Sequence, residues 1–307
     1  MLAERPETRP GRALTAGWPL PLARGDTADP KPGNRPGTGV CFGSHMRLVT
    51  YDRGGHRRLG AILEAEVIDL PDAVGHPAFP TTLEGLVSSS RGTVMDAARA
   101  ALQRDDAWNW RVPKPRVLTP LFPQSLLSPR AMDVDRRIVG PEQAVPWPDE
   151  AAWLDYEPMV AAVVGNEGAK LEADAVGDHV FGYTLVSDWR AHASDGAPVE
   201  HADGVPIAIG PCVVTTDELD PQTMFVTVKV DDQDLLKGNL NGAAASLFRL
   251  IADVSQHAVL ERGDAFALGP FPPVEDDADP SRRLWPGAQV ELAAEGIGTL
   301  RNRVDAR

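Results

Sequence analysis

Two stretches of this chain put carboxylates where apolar strands are expected. In "WLDYEPMVAAVVG", Trp153 to Gly165, Asp155 and Glu157 open an apolar run. Residues two apart on a strand share a face, so Asp155, Glu157 and Met159 point one way and Tyr156, Pro158 and Val160 the other. Further on, "FGYTLVSDWRAHAS" places Asp188 at the end of a second apolar strand, followed by Trp189, Arg190 and His192. Acidic groups at strand ends suit a hard divalent cation, Mg²⁺ or Mn²⁺, which takes oxygen ligands of concentrated negative charge. The competing reading is plain solubility, since acidic residues often flank strands. His192 and His201 titrate near neutrality and suit proton transfer; in loops they serve equally as surface groups. Arg190 offers the planar fork that grips a substrate carboxylate, or else pairs with Asp188. Asn239 in "KGNLNG" and the stretch around it read as a turn.

The elements that must position these groups are mostly strands. Alternation predicts strands at Pro158 to Val164, His179 to Ser187, Cys212 to Thr215, Phe225 to Val230, Phe266 to Gly269 and Gln289 to Ala293. One helix interrupts them: Ala244 to Val254 lines up Leu247, Phe248, Leu250, Ile251 and Val254 at helical spacing, with His257 near its end. Upstream, Arg47 to Tyr51, Leu59 to Leu63 and Val67 to Leu70 read as strands, with Arg53-Gly54-Gly55-His56 as the turn between the first two. Thr81-Thr82-Leu83-Glu84 starts a helix on a Thr cap, and Met95 to Leu102 favours another. The "EDDADPSRR" stretch, Glu275 to Arg283, reads as a charged loop. The expected organisation is a flexible Pro/Gly-rich leader over 1–45, a small N-terminal α+β domain over 46–115, and a second unit over 118–307; translation starting at Met46 is one explanation of the leader.

Composition narrows the function classes. A net charge of −14 argues against nucleic acid or an anionic membrane as partner. No apolar run approaches the roughly 18 to 20 residues that span a bilayer. Cys41 and Cys212 lie far apart and outside any metal-binding spacing, so they read as free thiols of a reducing compartment, and the expected location is cytoplasmic.

The segments "IVGPEQAVPWPDEAAWLDYEPMVAAVVG", "DHVFGYTLVSDWRAH", "IGPCVVTTDEL", "VKVDDQDLLKGN", "LIADVSQHAVLERGDAFALG" and "LWPGAQVELAAEGIGTLRNRV" resemble, in order and spacing, the landmarks of the fumarylacetoacetate hydrolase superfamily. The resemblance implies a strand-dominated α+β fold, a mixed β-sandwich roll, usually homodimeric, in which a divalent metal holds a small oxo acid or dicarbonyl. It implies metal ligands at Glu157 and Asp188 and a further aspartate at Asp133 or Asp135; this chain's own candidates beside them are Arg190, Tyr156, Asn239 and Met159 on the substrate side and Asp133, His192 and His201 for catalysis. It also marks departures. The family's glutamate pair reads Glu157 and Met159, and "DWRAH" stands for Asp-Trp-Ser-Ala-Arg. His201 falls near an expected lysine, Gly269-Pro270 stands for Gly-Thr, and the stretch that normally carries the catalytic histidine has none. The implied activity is C–C hydrolysis, decarboxylation or isomerisation through an enolate. Two alternatives remain: a metal-free cyclase, dehydratase or isomerase of specialised biosynthesis, and a non-catalytic homologue acting as a binding module.

Overall fold

The computed structural model describes residues 46–89, 92–129, 136–199, 204–217, 219, 221, 223–240, 243–269, 271 and 282–306. The chain opens on β1 (Arg47–Arg53), β2 (His56–Leu63) and β3 (Glu66–Asp69). Gly54 and Gly55 take φ of 64° and 86° between the first two, the two-residue turn whose twist suits a hairpin, and Arg53 pairs directly with His56. Asp69 ends β3 and caps α1 (Leu70–Val74) by accepting from the Asp72 N–H, with Pro71 in the first turn. Leu70, expected to close a strand, therefore opens a helix. Thr82 caps α2 (Leu83–Ser88) through Gly85 N–H, and α3 (Thr93–Leu102) follows. These helices bury Leu83, Leu86, Met95 and Ala98 against Leu48, Leu59 and Ala61 of the strands.

Short strands β4 (Val117–Leu118), β5 (Leu126–Leu127), β6 (Ile138–Val139) and β7 (Ala144–Val145) lead to two long ones, β8 (Trp153–Val164) and β9 (Val180–His192). Then come β10 (Ile207–Thr215), β11 (Phe225–Val230), β12 (Gln233–Asn239), α4 (Ala243–Ser255), β13 (Ala265–Leu268), β14 (Gln289–Ala294) and β15 (Gly298–Val304). A ten-stranded sheet runs β3-β2-β1-β10-β9-β8-β13-β5, with β4 on β1 and β6 on β10. The three N-terminal strands thus continue the sheet of the second unit through the β1–β10 pairing. A five-stranded sheet runs β12-β11-β14-β15-β7. Pairing is antiparallel except for β6 on β10, β5 on β13 and β7 on β15, so both sheets are mixed.

One face of β8 and β9 supplies Leu154, Tyr156, Val160, Ala162, Leu185 and Trp189 to a core that also takes Val226, Val228, Val290, Leu292 and Leu300 of the smaller sheet. The two sheets are therefore stacked on that face. The expected face of α4 joins them, with Leu247 and Ile251 buried and Phe248, Leu250 and Val254 packed around. Asn239 does not sit in a turn: it is the last residue of β12, exposed and paired with Phe225, and the turn falls earlier, at Asp231 and Asp232, with φ of 47° and 65°. Among the described residues no helix is long and apolar enough to cross a membrane.

Candidate active site

β8 and β9 pair in one unbroken register from Trp153↔His192 through Asp155↔Arg190, Glu157↔Asp188 and Met159↔Val186. Both strands run further than alternation alone suggests, and every residue of β8 is buried. Asp188, Arg190 and His192 consequently lie inside β9, where a strand end and a loop were expected. Alternation then puts Asp155, Glu157, Asp188, Arg190 and His192 on the face away from the sheet-to-sheet core. Side-chain exposure of Glu157 and Asp188 is 4% each.

Buried carboxylates need counter-charges, and arginines supply them. Arg190 Nη2 donates to Glu157 Oε2 at 2.9 Å and to Asp188 Oδ2 at 3.2 Å, and its Nε donates to Asp188 Oδ2 at 3.3 Å. Arg136 donates to the other Asp188 oxygen at 2.5 Å. It also fastens the backbone, donating to the carbonyls of Trp189, Pro206 (3.0 Å) and Val205 (3.2 Å). Asp155 is paired with Arg282 at 3.1 Å, both nearly inaccessible. Arg282, read in the sequence as part of a charged loop, is thus a buried ion-pair partner and also donates to the Tyr156 carbonyl. Among the described residues, three carboxylates and three guanidiniums face one another here.

Arg190, like Arg136, is partly exposed, at 29% of its side chain against 23%. Its Nε and Nη2 are engaged and Nη1 is not, so one donor edge remains for a ligand oxygen.

The other sequence candidates fall in different surroundings. Tyr156 lies on the core face, fully buried beside Trp189, and its hydroxyl has no hydrogen-bond partner. Burial above all pushes its pKa upward; Arg282 opposes this and Asp155 adds to it, so the phenol stays protonated. Met159 is packed among Leu126, Ala161, Val186, Ile207 and Ala267. His192 stacks flat on Trp153, ring centroids 3.8 Å apart, with Nδ1 3.4 Å from the Gly196 carbonyl. It stands roughly 13 Å along the strand from Asp188, at about 3.3 Å per residue. Asp133, Asp135, His201 and Pro270 lie outside the described residues. Arg136 and Arg282 were missed in the sequence; the signal for them was the row of inward carboxylates on β8 and β9, which demands cations from elsewhere in the chain. A cleft of about 560 Å³ opens elsewhere, lined by Arg116, Leu118, Arg137, Glu142 and Asp305 among others, and no residue of β8 or β9 borders it.

Residues 95–305 match the family model described as fumarylacetoacetate (FAA) hydrolase C-terminal. The chain belongs to the fumarylacetoacetate hydrolase family. Curated relatives include uncharacterized proteins of Staphylococcus saprophyticus, 30% identical over 154 residues, and Staphylococcus epidermidis, 29% identical over 169 residues. The matches cover 48% and 53% of this chain, which spans about half of those relatives, 51% and 56%. Similar solved structures include a fumarylacetoacetate hydrolase from psychrophilic Exiguobacterium antarcticum, with TM-score 0.67 and 22% identity over 85% of this chain and 100% of that one. A maleylpyruvate hydrolase from Sphingobium sp. SYK-6, in complex with manganese(II) and pyruvate, gives TM-score 0.66 and 21% identity over 85% and 99%. A 2-hydroxyhepta-2,4-diene-1,7-dioate isomerase from Mycobacterium marinum gives 0.59 and 20% over the same shares. These likenesses establish the family's fold for this chain.

The family resemblance implies a divalent ion among Glu157, position 159 and Asp188, and these described positions fit one poorly. Position 159 holds a thioether, a poor ligand for hard cations, and a guanidinium lies against both remaining carboxylates. Among the described residues no group of three or more His, Cys, Asp or Glu is placed to hold a metal.

Proposed function

We propose that this family member is an enzyme that enolises a small oxo acid or 1,3-dicarbonyl, leading to isomerisation, decarboxylation or C–C cleavage. The observation that carries the reading is the Glu157–Arg190–Asp188 bridge with its unengaged Nη1 edge. A substrate oxyanion or carbonyl oxygen binds that edge, where a fixed positive charge in a partly dry site stabilises the developing enolate. The proton on the carbon next to the carbonyl passes to a carboxylate, and the electron pair moves onto the carbonyl oxygen. Asp188 has guanidiniums on both oxygens, and in this reading the proton goes to Glu157. The substrates named for the similar structures, maleylpyruvate and 2-hydroxyhepta-2,4-diene-1,7-dioate, support the substrate class. The reading also includes a homodimer working in the cytoplasm on a small molecule, in keeping with the family resemblance and the net charge of −14.

The test is deuterium incorporation in D₂O, followed by NMR, with pyruvate, oxaloacetate and acylpyruvates. The protein should label the carbon beside the carbonyl of at least one of them, and Glu157→Gln should slow this by roughly 10² to 10⁴, the usual worth of a general base. Absence of exchange with every oxo acid and 1,3-diketone tried would overturn the proposal.

A further inference from the structure

We infer that the Arg190 guanidinium takes the place of a divalent cation in this site, so that the protein binds its oxyanion substrate without metal and excludes metal from the carboxylates. The inference rests on the site assigned above and deepens it, but it makes a claim about cation binding that stands apart from turnover.

Three observations on different residues converge. The first is position: Arg190 stands two residues after Asp188 on β9 and opposite Asp155 on β8, on the carboxylate face, and reaches both Glu157 and Asp188. A cation approaching the two carboxylates meets a fixed positive charge already lodged against them. Like charges that close repel strongly in a site of low effective dielectric. The second is ion pairing. Among the described residues, Arg282, Arg190 and Arg136 lie against Asp155, Glu157 and Asp188, so each of these carboxylates already has a guanidinium at hydrogen-bond distance where a hard divalent ion would need its oxygens.

The third concerns the corner at Met159. The chain leaving β13 lies directly on it: a Cβ at Gly269 would come within 2.3 Å of Met159 Cγ and 2.5 Å of the Pro158 carbonyl. The Phe271 N–H then donates to that same carbonyl at 2.9 Å, fastening the segment down. With Met159 only 3% exposed, the corner is sealed with apolar packing. A guanidinium supplies the positive charge that an enolate needs, and its planar donors recognise a carboxylate edge-on. Arg190 retains such an edge in Nη1.

The experiment uses the full chain and Mn²⁺ alone, with free Mn²⁺ read by its electron paramagnetic resonance signal. Wild type should leave the signal undiminished at sub-millimolar Mn²⁺. Arg190→Ser, which uncovers Glu157 and Asp188, should bind Mn²⁺ at least about tenfold more tightly, the least that loss of a neighbouring unit charge predicts. Met159→Glu/Arg190→Ser should bind more tightly again; because a glutamate in the sealed corner threatens folding, Arg190→Ser by itself is sufficient to decide. Stoichiometric Mn²⁺ binding by wild type that Glu157→Ala abolishes overturns the inference, and so does Arg190→Ser that folds and gains no affinity. Neither outcome depends on finding a substrate, so failure here is distinct from failure of the enolisation assay.

Discussion

The ten-stranded sheet carries two arginine–carboxylate clusters, and they are built to opposite ends. At its N-terminal edge Asp69 accepts from Tyr51 Oη at 2.5 Å, Arg53 Nη1 at 2.6 Å, Arg58 Nε and Nη2 at 3.0 Å each, and the Asp72 N–H at 2.9 Å. Each link fastens β1, β2 or the first turn of α1 to one carboxylate, whose acceptor capacity is filled. In the centre of the sheet, Arg136 behaves in the same way, holding three backbone carbonyls as well as Asp188. Arg190 differs from Arg136: its hydrogen bonds go only to side-chain carboxylates, as those of Arg53 and Arg58 do, and its Nη1 is unused. The links to Asp69 tie two strands and a helix turn to one filled carboxylate, and Arg136 ties backbone carbonyls, so both act as brackets. Arg190 joins two carboxylates of paired strands and has Nη1 left to act as a receptor.

The sharpest way to test that distinction is to remove the carboxylate at the centre. Asp188→Ala strips Arg136 of its ion-pair partner and Arg190 of one of two, and breaking a buried pair on one side costs about 3 to 5 kcal/mol. Urea unfolding should show a loss of that size; a loss below 1 kcal/mol would mean the central cluster does not brace the sheet. Next comes the peripheral bracket. Burial works to raise the Asp69 pKa, but hydrogen bonds from Arg58, Tyr51 and the Asp72 N–H, with the charge of Arg58, outweigh it and hold the carboxyl below its usual value. A depressed carboxylate pKa stabilises the fold above the unfolded value, near 3.9, and that stabilisation fades as pH falls through the folded value. Asp69→Asn should therefore cost about 2 kcal/mol at neutral pH, by the worth of hydrogen bonds to a charged group. The gap from wild type should stay flat down to roughly pH 4 and narrow below it. Oxo-acid turnover should not change, since this network lies outside the site; a gap that widens as pH falls would reverse the assigned sign.

How far the sequence carried these conclusions depends on what kind of signal each needed. The hairpin at Gly54-Gly55, the Thr82 cap and the face of α4 are local, set by φ preference, side-chain capping and periodicity, and all three are legible. Strand ends were less so. β9 was expected to stop at Ser187, because the charged Asp188 and Arg190 look like a loop, yet they mark a strand whose second face is a paired ionic cluster. The pairing of Glu157 with Asp188 follows from register, but the arginines against Asp188 and Asp155 come from residue 136 and residue 282, distant in sequence. No spacing rule reaches that far. Only the requirement that buried charge be balanced hints that such arginines exist.

The smallest expected effect discriminates the two faces of β8. Tyr156 neighbours Glu157 in sequence, and a sequence reading counts both as site residues, but pleating sends them to opposite sides. The Tyr156 hydroxyl is buried in the core with no partner, and a hydroxyl taken out of water without a hydrogen bond is a cost to the fold. Tyr156→Phe keeps the ring, its packing against Trp189 and the guanidinium of Arg282 at 5.6 Å from its centroid. The substitution should therefore leave stability unchanged or raise it by up to about 1 kcal/mol, with deuterium exchange into the oxo acid as in wild type. If instead exchange falls tenfold while stability holds, the hydroxyl reaches the substrate, and the separation of an ionic receptor face from an inert core face would have to be abandoned.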